Sequence, residues 1–238
     1  VVAVPTETVY GLAGRYDSNS VIKKIFKVKS RPFHNPLILH YTNSDQALDD
    51  IYYDSRAIIL AKNFWPGPLT IVAKSNNKSI SKYALAGLET VAVRVPSNLT
   101  MLAVLKNISF PLAAPSANRY GKISPTSAKD VLEELNGKIS IILDGGESKV
   151  GLESTVVDLS GKNTVILRHG GISKDQIKEV LEISERNKLN KKIISPGLSK
   201  SHYKPDKPLR INALKPKKNE AWLAFGQTPK NFEGFSLT

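Results

Sequence analysis

Three short stretches of the chain collect residues suited to holding anions. KSRPFHNPLILH runs from Lys29 to His40, PTETVYG starts at Pro5, and PSAN spans Pro115 to Asn118. Lysine is a mobile point charge and arginine a flat, two-pronged donor, so Lys29 and Arg31 together can hold a carboxylate or bicarbonate beside a phosphate. Ser116 and Asn118 lie two apart after an apolar run, which puts both side chains on one side of an extended chain, where they can bind oxyanions without adding charge. In VAVRVP the same alternation turns Thr90, Ala92 and Arg94 to one face of a strand. This is chemistry of positioning and electrostatics. With no cysteine in the chain there is no disulfide, no thiolate nucleophile and no Cys-ligated zinc.

Each of these residues also has a plainer reading. Lys23, Lys24 and Lys27 precede Lys29, so the basic step suits a solvated helix end, where cations are favoured. Thr8 can bond its own turn, and S-A-N can be a simple turn. Arg94 can sit exposed on an edge strand, and His40, with no second histidine at metal-ligand spacing, can be structural. Gly145-Gly146 and Gly170-Gly171 lack the flanking residues of a P-loop or a dinucleotide fingerprint and read as turns.

Residues that hold anions need a scaffold, and the periodicity supplies one. Strand-like runs fall at Val1 to Val4, Pro36 to Leu39, Leu69 to Ala73, Val91 to Val95, Pro111 to Ala114, Ile139 to Leu143, Thr155 to Leu159 and Val165 to Leu167. Helical patterns interleave with them: one after a cap at Ser20 that ends near Lys29, then Ser55 to Trp65, Ser97 to Asn107, Ser127 to Asn136 and Ser173 to Glu185. Interleaved strands and helices predict an α/β sheet domain. The 238 residues, 41% of them hydrophobic, can bury a full core. No run approaches the roughly 18 apolar residues of a membrane span, so the expected location is the cytoplasm. Of the net charge of +13, the stretch from Arg186 to Lys218 carries +10, with eleven Lys or Arg against Asp206 alone. That stretch reads as a solvated connector or as a lure for a polyanion such as ATP or tRNA. The expected organisation is a catalytic domain over residues 1–186, a basic, Pro-containing linker over 187–210, and the start of an incomplete C-terminal domain over 211–238.

Together with ESTVVDL at Glu153 to Leu159 and SPGLSKSHYKP at Ser195 to Pro205, these motifs resemble the YrdC/YciO-type family of threonylcarbamoyl-AMP synthases, in its two-domain long form. The resemblance runs from Val1 to about Gly171, with the linker beyond. It implies a YrdC-like open twisted sheet with helices packed on it and a basic concave cleft. It also implies a nucleotidyltransferase that condenses L-threonine, bicarbonate and ATP to threonylcarbamoyl-AMP and pyrophosphate, for modification of tRNA next to the anticodon. Implied catalytic residues are Lys29, Arg31, Ser116 and Asn118. Threonine would be bound by Thr8, His40, Arg94 and Ser154, and ATP by Arg31, Asn35, Thr90, Ser116, Asn118, Ser124, Arg168 and Tyr203. Mg²⁺ would arrive with ATP, and a tRNA threonylcarbamoyl transferase complex would take the product. In this family a proline usually follows the arginine matched by Arg168, whereas this chain has His169, which makes that loop less rigid. Tyr203 could lid the nucleotide, or the linker could be a plain tether. The competing readings are a module that binds double-stranded RNA or tRNA without catalysis, and the related carbamoyl-transfer domain of hydrogenase-maturation proteins, whose Cys-rich zinc modules this chain lacks.

Overall fold

A computed structural model describes residues 1–184, 207–217, 219–225 and 235–237. The chain divides into two compact units, Val1–Lys204 and Pro205–Thr238.

The first unit is built on one mixed eight-stranded sheet. Its strands are β1 (Val2–Val4), β2 (Gly11–Arg15), β3 (Ile38–His40), β4 (Leu69–Lys74), β5 (Thr90–Arg94), β6 (Leu112–Ala113), β7 (Thr155–Asp158) and β8 (Val165–Arg168). They lie in the order β1-β2-β6-β3-β5-β4-β7-β8. β3 runs parallel to β5, β4 antiparallel to β5 and parallel to β7, and β7 antiparallel to β8. Among the described residues, six helices accompany the sheet: α1 (Asn19–Lys29), α2 (Ser44–Asp49), α3 (Ser55–Phe64), α4 (Leu99–Lys106), α5 (Ala128–Leu135) and α6 (Lys174–Lys178).

Alternation along the strands sorts the sheet into two faces. Leu37, Leu39, Val91, Val93, Leu69, Ile71 and Val157 enter the main core with Ile22, Ile25 and Phe26 of α1 and Leu60 of α3. The opposite face carries a smaller cluster of Ile38, Val72, Ala92, Val156 and Leu167. Continuing that second face by two residues along β3, β5 and the entry to β7 reaches His40, Arg94 and Ser154, so its apolar floor turns polar at one end.

Several expectations are corrected by this arrangement. Gly11–Arg15 forms β2 and Ser44–Asp49 forms α2, neither with a periodic signal long enough to register in the sequence. Ile139 to Leu143 forms no ladder and contributes only an isolated bridge between Ala3 and Ile142. The cap of α1 is Ser18, which accepts from the Val21 N–H, rather than Ser20. α3 and α4 are capped by Asp54 and Asn98, the first one residue before the leading serine of its pattern and the second one residue after it. Ser127 and Ser173 do cap their helices, each in a reciprocal capping box. α6 ends at Lys178, well short of Glu185. In the second unit, β9 (Leu223–Phe225) pairs in parallel with β10 (Phe235–Leu237), and Arg210 pairs with Glu220.

Candidate active site

The polar end of the second face is walled by turns that meet there from distant parts of the chain. Thr8 and Val9 lie between β1 and β2, Arg31 follows α1, and Pro115-Ser116 follows β6. Glu153-Ser154 precedes β7 and Arg168 closes β8. With Ile38, His40, Arg94 and Ala114 these residues line a cleft of about 40 Å³. Two larger hollows, about 460 Å³ beside Tyr52, Tyr53 and Lys74 and about 250 Å³ beside Tyr16, Asp49 and Asp50, contain none of the candidate residues. The narrow cleft is therefore the site where the chemistry gathers.

Its cations are fixed by the protein itself. Arg94 is 3% exposed and lies on β5, inside the sheet, so the edge-strand reading fails. It pairs with Glu7, donates to Thr8 Oγ1 at 3.0 Å, and donates from Nε to the Gly67 carbonyl. Burial alone would raise the Glu7 carboxyl, but the charge and hydrogen bonds of Arg94, with backbone donors that include Ser97 N–H, outweigh it and hold the carboxyl below its ordinary value. Arg168 donates to the backbone carbonyl and the hydroxyl of Ser154, both at 3.0 Å, and that hydroxyl also meets Thr70 Oγ1 at 2.7 Å. A guanidinium held in this way needs no reorganisation when an anion arrives.

The solvated helix end offered as the plainer reading of Lys29 and Arg31 is ruled out, since they are 1% and 6% exposed. Helix α1 ends at Ser30 in a left-handed turn (φ 51°), which sends Lys29 inward against the PSAN loop. There its ammonium donates to the carbonyls of Ser116 and Asn118 and reaches Asn118 Oδ1 at 3.3 Å. Burial first, and the nearby Arg31 charge second, pull the Lys29 pKa well below its ordinary value. Arg31, whose pKa burial lowers to about 10, donates to Asn35 Oδ1 at 2.6 Å and to the Pro36 carbonyl at 2.8 Å. An anion among these cations would offset both costs.

The remaining candidates are placed less directly. Asn118 spends its amide donors on the carbonyls of Arg119 and Lys122, so it supports the loop rather than offering a free donor. Ser124 sits behind the wall, donating to Glu153 Oε1. Thr90 shares the face of Arg94 but lies four residues along β5, about 13 Å away, and does not line the cleft. Tyr203 lies outside the described residues. Two buried polar atoms, His40 Nδ1 and Asn35 Nδ2, have no hydrogen-bond partner among the described residues. Such atoms are rare enough to call for a ligand.

Three residues that line or brace the cleft escaped the sequence reading: Glu153 on its wall, Glu7 behind Arg94 and Thr70 behind Ser154. A buried guanidinium requires a compensating carboxylate, and that requirement is the one signal that could have pointed to Glu7. Gly170 secures the wall containing Glu153, because a Cβ there would collide with the Glu153 carbonyl oxygen.

The burial of His40 makes a testable demand on stability. Burial, followed by the charge of Arg94, lowers its pKa from 6.5 to about 3. The unfolded chain therefore takes up the proton first, and stability is complete above pH 6.5 and is lost as the pH falls toward 3. The loss at pH 5 is about 2 kcal/mol. Urea midpoints recorded across this range should show it in the parent protein and not in His40→Asn; equal slopes would mean that the imidazole is not held neutral.

Comparison with known proteins adds lineage to this geometry. The profile of a family described as "Telomere recombination" (Sua5, YciO, YrdC) matches residues 1–170, and that of "Threonylcarbamoyl-AMP synthase, C-terminal domain" matches residues 172–234. A threonylcarbamoyl-AMP synthase of Bacillus subtilis is 44% identical over 217 residues, covering 89% of this chain and 62% of the relative. The crystal structure of P. abyssi Sua5 complexed with L-threonine superposes with a TM-score of 0.81 at 42% identity, over 86% of this chain and 62% of that one. E. coli YciO shares the fold, with a TM-score of 0.67 at 23% identity, over 76% of this chain and 86% of that one. The chain thus spans about 62% of the length of the curated relatives first matched.

Proposed function

Because the chain belongs to the Sua5/YciO/YrdC family, we propose that it is an L-threonylcarbamoyladenylate synthase, a nucleotidyltransferase that joins L-threonine, bicarbonate and ATP and releases pyrophosphate. The observation that carries this reading is the convergence of Arg31, Arg94 and Arg168 with the Thr8, Ser116 and Ser154 hydroxyls on one cleft. Every substrate bears negative charge, and the reaction needs them held in line more than it needs a nucleophile.

In this reading Arg94 and Thr8 take the threonine carboxylate, and Ser154 and the unpartnered His40 Nδ1 take its polar side. Arg31, Asn35, Ser116 and Arg168 face the phosphates, with Ser124 supporting them through Glu153. A nucleotide extending from there along the sheet would cross Ala92 and reach Thr90. Lys29 and Asn118 shape the loop from beneath. A carbamate oxygen displaces pyrophosphate from the α-phosphorus while the fixed guanidinium groups stabilise the charge that builds up. The cleft's oxygen donors are chiefly hydroxyls with one carboxylate, which suits an Mg²⁺ ion that stays on ATP phosphates and water. The product would pass to a tRNA threonylcarbamoyl transferase complex in the cytoplasm.

Pyrophosphate release tests the proposal. Release is expected only with ATP, threonine and bicarbonate together. Salt-sensitive RNA binding without turnover would replace the enzyme with a binding module.

A further inference from the structure

Among the described residues that line the cleft there is one carboxylate, that of Glu153. An acid in a pocket for anions repels phosphate, carboxylate and bicarbonate alike, so its presence there calls for a cationic partner that the substrates bring. Glu153 is also closely held. Its carbonyl accepts from the Gly171 N–H at 3.0 Å, the Gly170 backbone packs against it, and Ser124 fixes Oε1. Oε2 has no protein donor among the described residues.

Among the described residues no cation is paired with it either. The charged and titratable groups around the cleft are Lys29 and Arg31 from the α1 end, His40 from β3, Arg94 from β5 and Arg168 from β8. Arg94 is paired with Glu7, Arg168 is turned to Ser154, Arg31 to Asn35, and Lys29 to the Ser116 and Asn118 carbonyls. Threonine supplies the missing charge, because it enters as a zwitterion whose α-ammonium must become a neutral amine before its nitrogen can bond to carbon.

We infer that Glu153 binds the α-ammonium of threonine and is the base that takes its proton. This rests on the synthase reading above. Glu153 removes one proton from R–NH₃⁺; the amine nitrogen then forms a bond to the bicarbonate carbon, the C–OH bond breaks, and the second nitrogen proton departs with that hydroxyl as water. The products are R–NH–COO⁻, H₂O and protonated Glu153, which returns its proton to solvent. The nearby Ser116 and Ser154 hydroxyls can hold the carbamate oxygens.

The test is the pH profile of Glu153→Gln, an isosteric change that keeps the acceptor for Ser124. Its kcat/KM for threonine, read as pyrophosphate release at pH 7, should fall by about 10²-fold or more. The loss should shrink by about tenfold per pH unit as bulk alkali deprotonates the amine, up to the ammonium's own pKa. A loss independent of pH would overturn the proposal, as would one cured by raising Mg²⁺, which would make Glu153 a metal ligand. Should Glu153→Gln melt early, Glu153→Asp serves instead: it keeps a base, and the proposal requires a reduced rate with the flat pH profile of the parent. If the parent protein itself releases no pyrophosphate, the synthase reading has failed and the role of Glu153 falls with it.

Discussion

Lys29→Ala is expected to lower pyrophosphate release by about 10²-fold or more and to destabilise the protein by about 2–4 kcal/mol. The two effects have one cause. The Lys29 ammonium ties the end of α1 to the carbonyls of Ser116 and Asn118, and truncation leaves both acceptors buried without a donor while removing a cation from beneath the cleft. Lys29→Met separates packing from polarity, because it keeps the stem and loses the charge. It should recover part of the stability and none of the activity. Thermal denaturation alongside kcat/KM decides the matter, and an alanine variant as stable and active as its parent would show that the buried ammonium holds nothing.

Glu7→Ala should cost about 3–5 kcal/mol by leaving the Arg94 guanidinium buried without its partner. It should also raise the KM for threonine, since Arg94 is then free to leave the position set by Glu7 and Thr8. Glu7→Ala combined with Arg94→Met should be less destabilised than the sum of the two single changes, and the cycle measures the pair directly. The pH dependence has a definite sign. The folded Glu7 pKa lies below its unfolded value of 4.5, so the pair's stabilisation is complete above pH 4.5 and is lost as the pH falls through the folded value. That window opens at pH 4.5, below the 6.5 at which the His40 loss begins, and overlaps it down to about pH 3, so the His40→Asn and Glu7→Gln variants together separate the two. Glu7→Gln made in the His40→Asn background should flatten the limb that remains below pH 4.5, and an unchanged limb there would refute the assignment.

The two glutamates have different tasks in this scheme. Glu7 stands behind Arg94 and orients it, so it acts through another residue, whereas Glu153 faces the cleft. A change at Glu7 should therefore appear in stability and in threonine affinity, and a change at Glu153 in the pH profile of the reaction. This contrast is what makes the four variants informative together.

The local signals in the chain were strong where they depended on near neighbours. Alternation placed Arg94 with Ala92 and Thr90 on one strand face, and the apolar stripe of α1 carried Lys29 to the helix end. Ser127 and Ser173 announced their helices through caps satisfied within three residues. Where the pattern was short it failed. β2 includes Gly11 and Gly14 and α2 makes fewer than two turns, so neither offers a full period to detect. Ile139 to Leu143 has the composition of a strand, but it meets β1 only at Ala3, through one bridge at Ile142, and leaves Ile141 exposed, so no ladder extends along it.

By itself the sequence determined the α/β class, most element positions and the residue types able to hold anions, because these follow from periods of two and 3.6 residues and from side-chain chemistry. The tertiary structure alone decided that Lys29 points inward rather than to solvent, that Arg94 answers to Glu7, and that Glu153 stands on the wall. Burial and charge pairing are set by segments that meet across the sheet from up to about 140 residues apart in the chain, and no local period carries that information.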